Sequence, residues 1–451
     1  MKEVIEVADY VLLPLYLGVF IYIIIRIKRK YYTGSVLGKY FMYGFFAKVA
    51  GSMLFALLSV YYFQGGDSYV FYTGGVDFLK TIFTDFPKHF HFLYSSASEF
   101  NDYYIQNFDD RTSYGYLAAS SNLMACKFVS LFGIFCFNKY LLISLCFGTF
   151  SFSGMWVSFK ACTDNYPNLK KQLSIPFLFL PSILFWGGGI LKDTLCIGFL
   201  GWLFYAAYLF FIKKDFKVST FLIFIISLYC LAVLKNYIVM AFLPFLALWI
   251  MTEQVQKINS RLVRRSITIF AIVLVTVSYS ALDNIQKVVD SGIDYFTEYV
   301  RFSHDSYMTQ ATDDGAFIKL SDIEFTPAGI VQKIPASIVN SLYRPYIWES
   351  RKAITLFAAI ESLLILLYTI YVLLRTRILG FFAILLRTNM VLFFLFFSLL
   401  FAAAVGLTCF NLGTLVRYKI PCIPFYITAL VIISGIWDKK QADEKILLEK
   451  G

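Results

Sequence analysis

Charge is scarce in this chain. Asp, Glu, Lys and Arg make up 15% of its 451 residues, hydrophobic residues make up 59%, and mean hydropathy is +0.68. No soluble core hides that much apolar surface, so the soluble multidomain arrangement that length alone would favour is excluded. Histidine is scarcer still, with 3 residues, and neither a CxxC pair nor the His/Cys spacing of a structural zinc site occurs. The 8 cysteines lie mostly inside apolar runs and avoid 64–114 and 282–350, the two longest polar stretches, so they form no disulfide framework. The P-loop pattern, GxxxxGK followed by Ser or Thr, is also missing. The opening residues, MKEVIEVADY, are acidic and lack the basic start of a signal peptide, which predicts that the first apolar run is retained as a membrane helix.

What the chain does have is apolar runs near the ~20 residues a helix needs to cross the hydrocarbon layer. They cover 10–25, 41–63, 138–159, 173–188, 194–212, 218–234, 237–251, 266–281, 353–374, 388–410 and 417–437. The stretch 115–136 is ambiguous, because it opens on small and polar residues and carries Lys127. Lys and Arg concentrate in cytoplasmic loops and so fix orientation. Arg26 to Lys30 follows the first run and places the N-terminus outside. If 115–136 does not span, the later basic loops all fall inside: Lys160 to Lys171, Lys213 to Lys217, Lys257 to Arg265, Arg375 with Arg377, and the tail from Lys439. If it spans, every one of them falls outside. The pattern therefore predicts a single all-α polytopic membrane domain over 1–451, with about 11 transmembrane helices and 115–136 re-entrant or interfacial. The net charge of +11 is then topological, and a nucleic-acid partner is not expected.

On this topology the outer face receives two large loops, 64–114 with interfacial helices and 282–350, plus several tight corners. Ionisable groups converge there: Asp67 after Gly65 and Gly66, Lys192 and Asp193 after the Gly187 to Gly189 run, Lys235, Arg344 with Glu349, and Arg417 with Tyr418. Each alone reads as an interfacial anchor; together they point to a shared site. Asp67 has two readings, as an N-cap for a helix from Ser68 to Lys80 or as a general base for an acceptor hydroxyl. Asp77, ten residues on, would lie about 15 Å away along a helix, too far for a carboxylate pair. Lys192 opens a helix whose free amides and dipole would attract phosphate. Arg344 and Arg417 offer bidentate guanidinium contacts to phosphate, with an Arg344–Glu349 salt bridge as the structural reading of the former. His89 and His91 would share a face and hold a metal only if strand-like, and a divalent cation near Asp67 has no strong spacing signal. Phe and Tyr around 295–307 fit sugar stacking or an aromatic belt.

The corner PSILFWGGGILKD at 181–193 resembles the PSxxFWxSGxxKD/E stretch of bacterial members of the GT-C glycosyltransferase superfamily tied to surface-polysaccharide synthesis. YRPYIWE at 343–349 and NLGTLVRYKIP at 411–421 are similar to their RPxxWE and late RY-containing stretches. The resemblance implies a polyprenyl-phosphate sugar donor, a glycan or glycolipid acceptor, and a site on the outer face of the bacterial cytoplasmic membrane. Asp67 would be the catalytic base, with Lys192, Arg344 and Arg417 as lipid-phosphate contacts. Two departures stand out. The acid follows the second span, where GT-C enzymes commonly place it after the first, and no second carboxylate stands at Ser68 or Tyr69 to complete a DxD metal site. Rival readings are a lipid-linked polysaccharide polymerase or O-antigen ligase, which would depend on loop arginines, and a transporter or flippase, which would carry inverted repeats. A non-enzymatic scaffold would leave the charged corners scattered.

Overall fold

The computed structural model describes residues 4–108, 115–256, 283–310, 324–350 and 352–449. Among these residues the chain is helical throughout and contains no strand. Seven helices are long and apolar enough to cross a membrane, or eight if a pair bent by 63° counts as one span. The chain is thus an all-α polytopic membrane protein. Helices suit such a chain because each satisfies its own backbone hydrogen bonds where lipid offers none. The expected run 266–281 lies outside the described residues.

The chain divides into two compact units, 1–239 and 240–451. The first holds α1 (Val7–Tyr31), α2 (Leu37–Tyr61), α3 (Asp67–Thr84), α4 (Phe86–Phe92), α5 (Ala97–Asn107), α6 (Ser120–Cys136), α7 (Tyr140–Asn165), α8 (Lys170–Ser174), α9 (Pro181–Phe185) and α10 (Lys192–Ala207). α11 (Val218–Gln256) begins there and ends in the second unit. The second unit continues with α12 (Asp283–Gln310), α13 (Pro327–Tyr343), α14 (Ala353–Arg387), α15 (Asn389–Thr408), α16 (Leu412–Tyr418) and α17 (Ile423–Leu448).

Three of the apolar runs take an unexpected form. The run 173–188 is not one helix: Pro176 and Pro181 lack amide hydrogens, and the segment passes from α8 through a π-turn, Ile175–Phe179, into the single turn of α9. It nevertheless travels alongside α2 in the same direction. Gly44 lies against Leu178, Gly51 against Leu184 and Phe55 against Gly189. The runs 218–234 and 237–251 follow each other without an intervening loop in α11. It breaks at Lys235, whose φ of −153° and ψ of 85° are not helical. The polar stretches 64–114 and 282–350 are largely helical: the first contains α3, α4 and α5, the second α12 and α13. The ambiguous 115–136 forms a short turn, Tyr116–Ala118, followed by α6.

Helix directions follow from which residues meet. α2 and α7 are antiparallel, since Phe45 packs on Phe152 while Ser52 meets Gly148 farther up. α7 and α10 are parallel: Gly154 lies against Gly198, and Ser158 reaches the Gly201 carbonyl. At one end of this unit Asp9 accepts from the Leu141 amide and Tyr10 meets Tyr61; at the other, Trp156 donates to the Tyr32 hydroxyl. In the second unit α15 is antiparallel to the last part of α11, with Phe242 against Phe397 and Asn389 donating to Glu253. α14 is parallel to α17, with Thr369 beside Tyr426 and Arg375 paired to Asp438. Within each unit these directions agree with the alternation expected from the basic loops.

Candidate functional site

In the first unit the chain leaves α2 through Gly65 (φ 145°) and Gly66 (φ 86°), left-handed positions that glycine adopts without a steric penalty. Gly66 is the N-cap of α3, and Asp67 is its first helical residue. Asp67 thus stands one place beyond the N-cap position of the capping reading. Its Oδ1 accepts from the Tyr116 hydroxyl at 2.9 Å. Tyr116 follows Gly115, another left-handed glycine, and its carbonyl accepts from Asn122 Nδ2 at 2.7 Å. Asn122 Oδ1 in turn accepts from Lys192 Nζ at 2.7 Å, and Ser121 Oγ accepts from the same ammonium at 3.1 Å. The Phe71 ring lies 5.9 Å from Lys192 Nζ and 5.9 Å from the Tyr116 ring, closing the apolar side. Asp67 and Lys192, distant in sequence, thus belong to one hydrogen-bonded chain.

Lys192 opens α10, as the glycine-then-charge pattern predicts. Its neighbour Asp193 forms an ion pair with Lys235, and these side chains are 1% and 7% exposed. The break in α11 at Lys235 is what brings that ammonium to the start of α10. Asp193, Asp67 and Lys235 all act electrostatically on Lys192. Four charges, two of each sign, therefore gather at one end of this unit, and Lys192 and Asp67 are the half-buried ones.

The three glycines before Lys192 do not wrap around an anion. They are buried against α2, where a Cβ on Gly188 would stand 2.6 Å from Ser52 Oγ and one on Gly189 2.0 Å from the Phe55 ring. Lys48, one helical turn before Ser52, donates to the Ile183 carbonyl at 2.7 Å and so satisfies an acceptor at the end of α9. Asp77 is engaged as well: Oδ1 accepts from Lys80 at 2.7 Å and Oδ2 from Tyr104 at 3.1 Å, fastening α3 to α5.

His89 and His91 lie on α4, so two residues apart they diverge. The strand-like pair a metal would need is not formed. His89 Nδ1 lies 2.7 Å from Thr81 Oγ1, and burial pushes its imidazole below the ordinary value. His91 Nε2 lies 2.6 Å from Glu99. His304 sits on α12 with its ring 5.3 Å from Phe410. Among the described residues no group of three or more His, Cys, Asp or Glu is placed to hold a metal ion.

The second unit holds the other corner. Arg344 follows α13, and Glu349 takes its guanidinium on two nitrogens, Nε at 3.1 Å, while also accepting from the Tyr346 amide at 2.9 Å. The salt bridge foreseen as the structural reading of Arg344 is present. Below it, the buried Lys419 ammonium donates to the Arg344 carbonyl at 2.8 Å and to Ser362 Oγ at 2.8 Å, with Glu361 acting on its charge. Arg417 and Tyr418 end α16, whose start is capped by Asn411 Oδ1 accepting from the Gly413 amide at 2.8 Å.

Of the expected residues, the first unit joins Asp67, Lys192, Asp193 and Lys235, and the second joins Arg344 with Glu349. Sequence reasoning missed Tyr116, Ser121 and Asn122, although the polar opening of 115–136 was the signal. It also missed Lys48, a lone lysine inside the second apolar run. No family model, no curated protein and no solved structure matches the chain.

Proposed function

We propose that the chain is a GT-C-like membrane glycosyltransferase. It moves a sugar from a polyprenyl-phosphate donor to a hydroxyl of a glycan or glycolipid acceptor, at the outer face of the bacterial cytoplasmic membrane. The observation that carries this reading is the hydrogen-bonded line from Asp67 through Tyr116 and Asn122 to Lys192. It sets a carboxylate and an ammonium at the starts of two helices, α3 and α10, as displacement of a phosphate by a hydroxyl requires. The ends of the helices bearing Asp67, Lys192 and Lys235 meet, which puts the candidate groups at one level of the first unit.

In this reading Asp67 takes the proton of the acceptor hydroxyl as its oxygen attacks the anomeric carbon. The carbon–oxygen bond to phosphate breaks with its electron pair, polyprenyl phosphate leaves as an anion, and the anomeric configuration inverts. Lys192 and the first-turn amides of α10 stabilise the negative charge that develops on the leaving phosphate. Tyr116 and Asn122 orient the two groups. Asp193 and Lys235 fix the start of α10. Arg344, Glu349, Arg417 and Tyr418 belong to the second unit.

The test is transfer from a polyprenyl-phosphate sugar by the purified protein in lipid nanodiscs. Asp67→Asn is expected to lower turnover by about 10²–10⁴-fold. Wild-type turnover in that variant sinks the assignment.

A further inference from the structure

We infer that α6 and the α3–α4 corner are seated in one leaflet of the bilayer without crossing it, with the end of α6 among acyl chains and the corner at headgroup level. α6 has 17 residues, about 25 Å of helix, short of the ~30 Å hydrocarbon layer. Its two ends differ in chemistry. Ser121 and Asn122, at the first, bind Lys192. At the second, Phe135 and Phe137 turn outward, 66% and 68% exposed, with Ile134 beside them. The Tyr16 hydroxyl donates to the Phe135 carbonyl, which fixes that apolar end against α1 beyond its first two turns. α1 exposes Val7, Val11 and Leu15 along its length, the surface of a helix that faces lipid. The apolar end of α6 continues that surface, so the same acyl chains cover both.

The α3–α4 corner adds a second layer. α4 buries His89 and Phe92, with the His89 ring 4.9 Å from Phe78, and turns Phe86 and Phe90 outward at helical spacing. Phe83 and Tyr94 flank them at 85% and 71% exposure. Exposed Lys80 and Lys88 stand in the same segment, and Lys127 of α6 donates to the Leu93 carbonyl at 2.9 Å, tying the corner to the inserted helix. Aromatic rings bordered by lysines are the chemistry of the bilayer interface, where rings sit among glycerol groups and ammonium groups meet phosphodiesters.

The experiment uses the full chain in nanodiscs of phosphatidylethanolamine and phosphatidylglycerol. Single cysteines are introduced at Phe135, Phe90 and Ser98 and labelled with an environment-sensitive fluorophore, against the wild-type background of mostly buried cysteines. The label at 135 is expected to lose most of its emission to a nitroxide deep in the acyl chain, the label at 90 to a headgroup nitroxide, and the label at 98 to aqueous iodide alone. If 90 and 135 respond only to iodide, as 98 does, the inference is overturned. Leu131→Cys and Phe86→Cys, also at exposed positions, replace either variant that fails to fold.

Discussion

The two charged corners look alike in sequence and differ in construction. At Arg344 the opposite charges meet directly: Glu349 takes the guanidinium on two nitrogens, and Lys419 beneath is occupied by the Arg344 carbonyl and Ser362. At Asp67 and Lys192 the hydrogen-bonded line between the charges runs through neutral groups, a phenol and an amide. In the first arrangement the opposite charges are in direct contact. The second keeps both signs of charge half-buried and a few bonds apart, which is what a step that moves a proton and releases an anion requires. A basic residue at a membrane corner is therefore not a functional signal until its partner is known.

Four outcomes break or sharpen this contrast. The largest concerns the ion pair beneath the first corner. Lys235→Met leaves Asp193 buried without its cation and is expected to lower unfolding free energy in detergent by about 3–5 kcal/mol, while the Asp193→Asn, Lys235→Met double variant regains most of it. Next, Glu349→Gln removes a charged partner of Arg344 and should cost about 2 kcal/mol, leaving the binding of farnesyl phosphate unchanged. If that variant instead binds farnesyl phosphate more weakly with stability intact, the second corner is a ligand site and the contrast collapses. Lys192→Ala should do the reverse, shifting stability by less than about 1 kcal/mol while weakening farnesyl phosphate binding at least tenfold, as loss of a charge-assisted contact implies. Equal affinity in calorimetric titrations of the two proteins would remove Lys192 from the proposed step.

The smallest effect is a pH slope. Burial holds the His89 imidazole below its ordinary value, so the unfolded chain binds the proton more readily than the folded one. The stability from keeping that ring neutral is complete above about pH 6.5 and is lost as pH falls through and below that value. His89→Gln should flatten this part of the stability profile. An unchanged slope would show that another group titrates.

The apolar runs were legible because a membrane helix is written locally, as a stretch of side chains that lipid accepts. Lys192 as a helix start was legible too, since three glycines followed by a charge punctuate the chain wherever it sits. The broken passage from α8 to α9 was announced by Pro176 and Pro181, yet its course depends on α2 lying alongside. What could not be read were the connectors. Tyr116 and Asn122 acquire meaning only when residues 70 positions apart are brought together, and no local pattern marks a phenol as the partner of Asp67. Lys48 stood in plain view inside an apolar run, but its acceptor, the Ile183 carbonyl, lies 135 positions away, and no local pattern marks that contact.

The seam between α2 and the broken passage has a consequence for where this protein can work. Residues 44 to 55 lie beside 178 to 189 in the same direction, and Asp67 and Lys192 follow shortly after the two ends of that seam. α2 and the broken passage are thus strapped together along their lengths. When a bilayer thins or thickens, the two tilt as one body, because sliding past each other would force Phe55 into Gly189 and Ser52 into Gly188. The seam therefore fixes the level at which each of the two segments ends, just before the helices that carry Asp67 and Lys192.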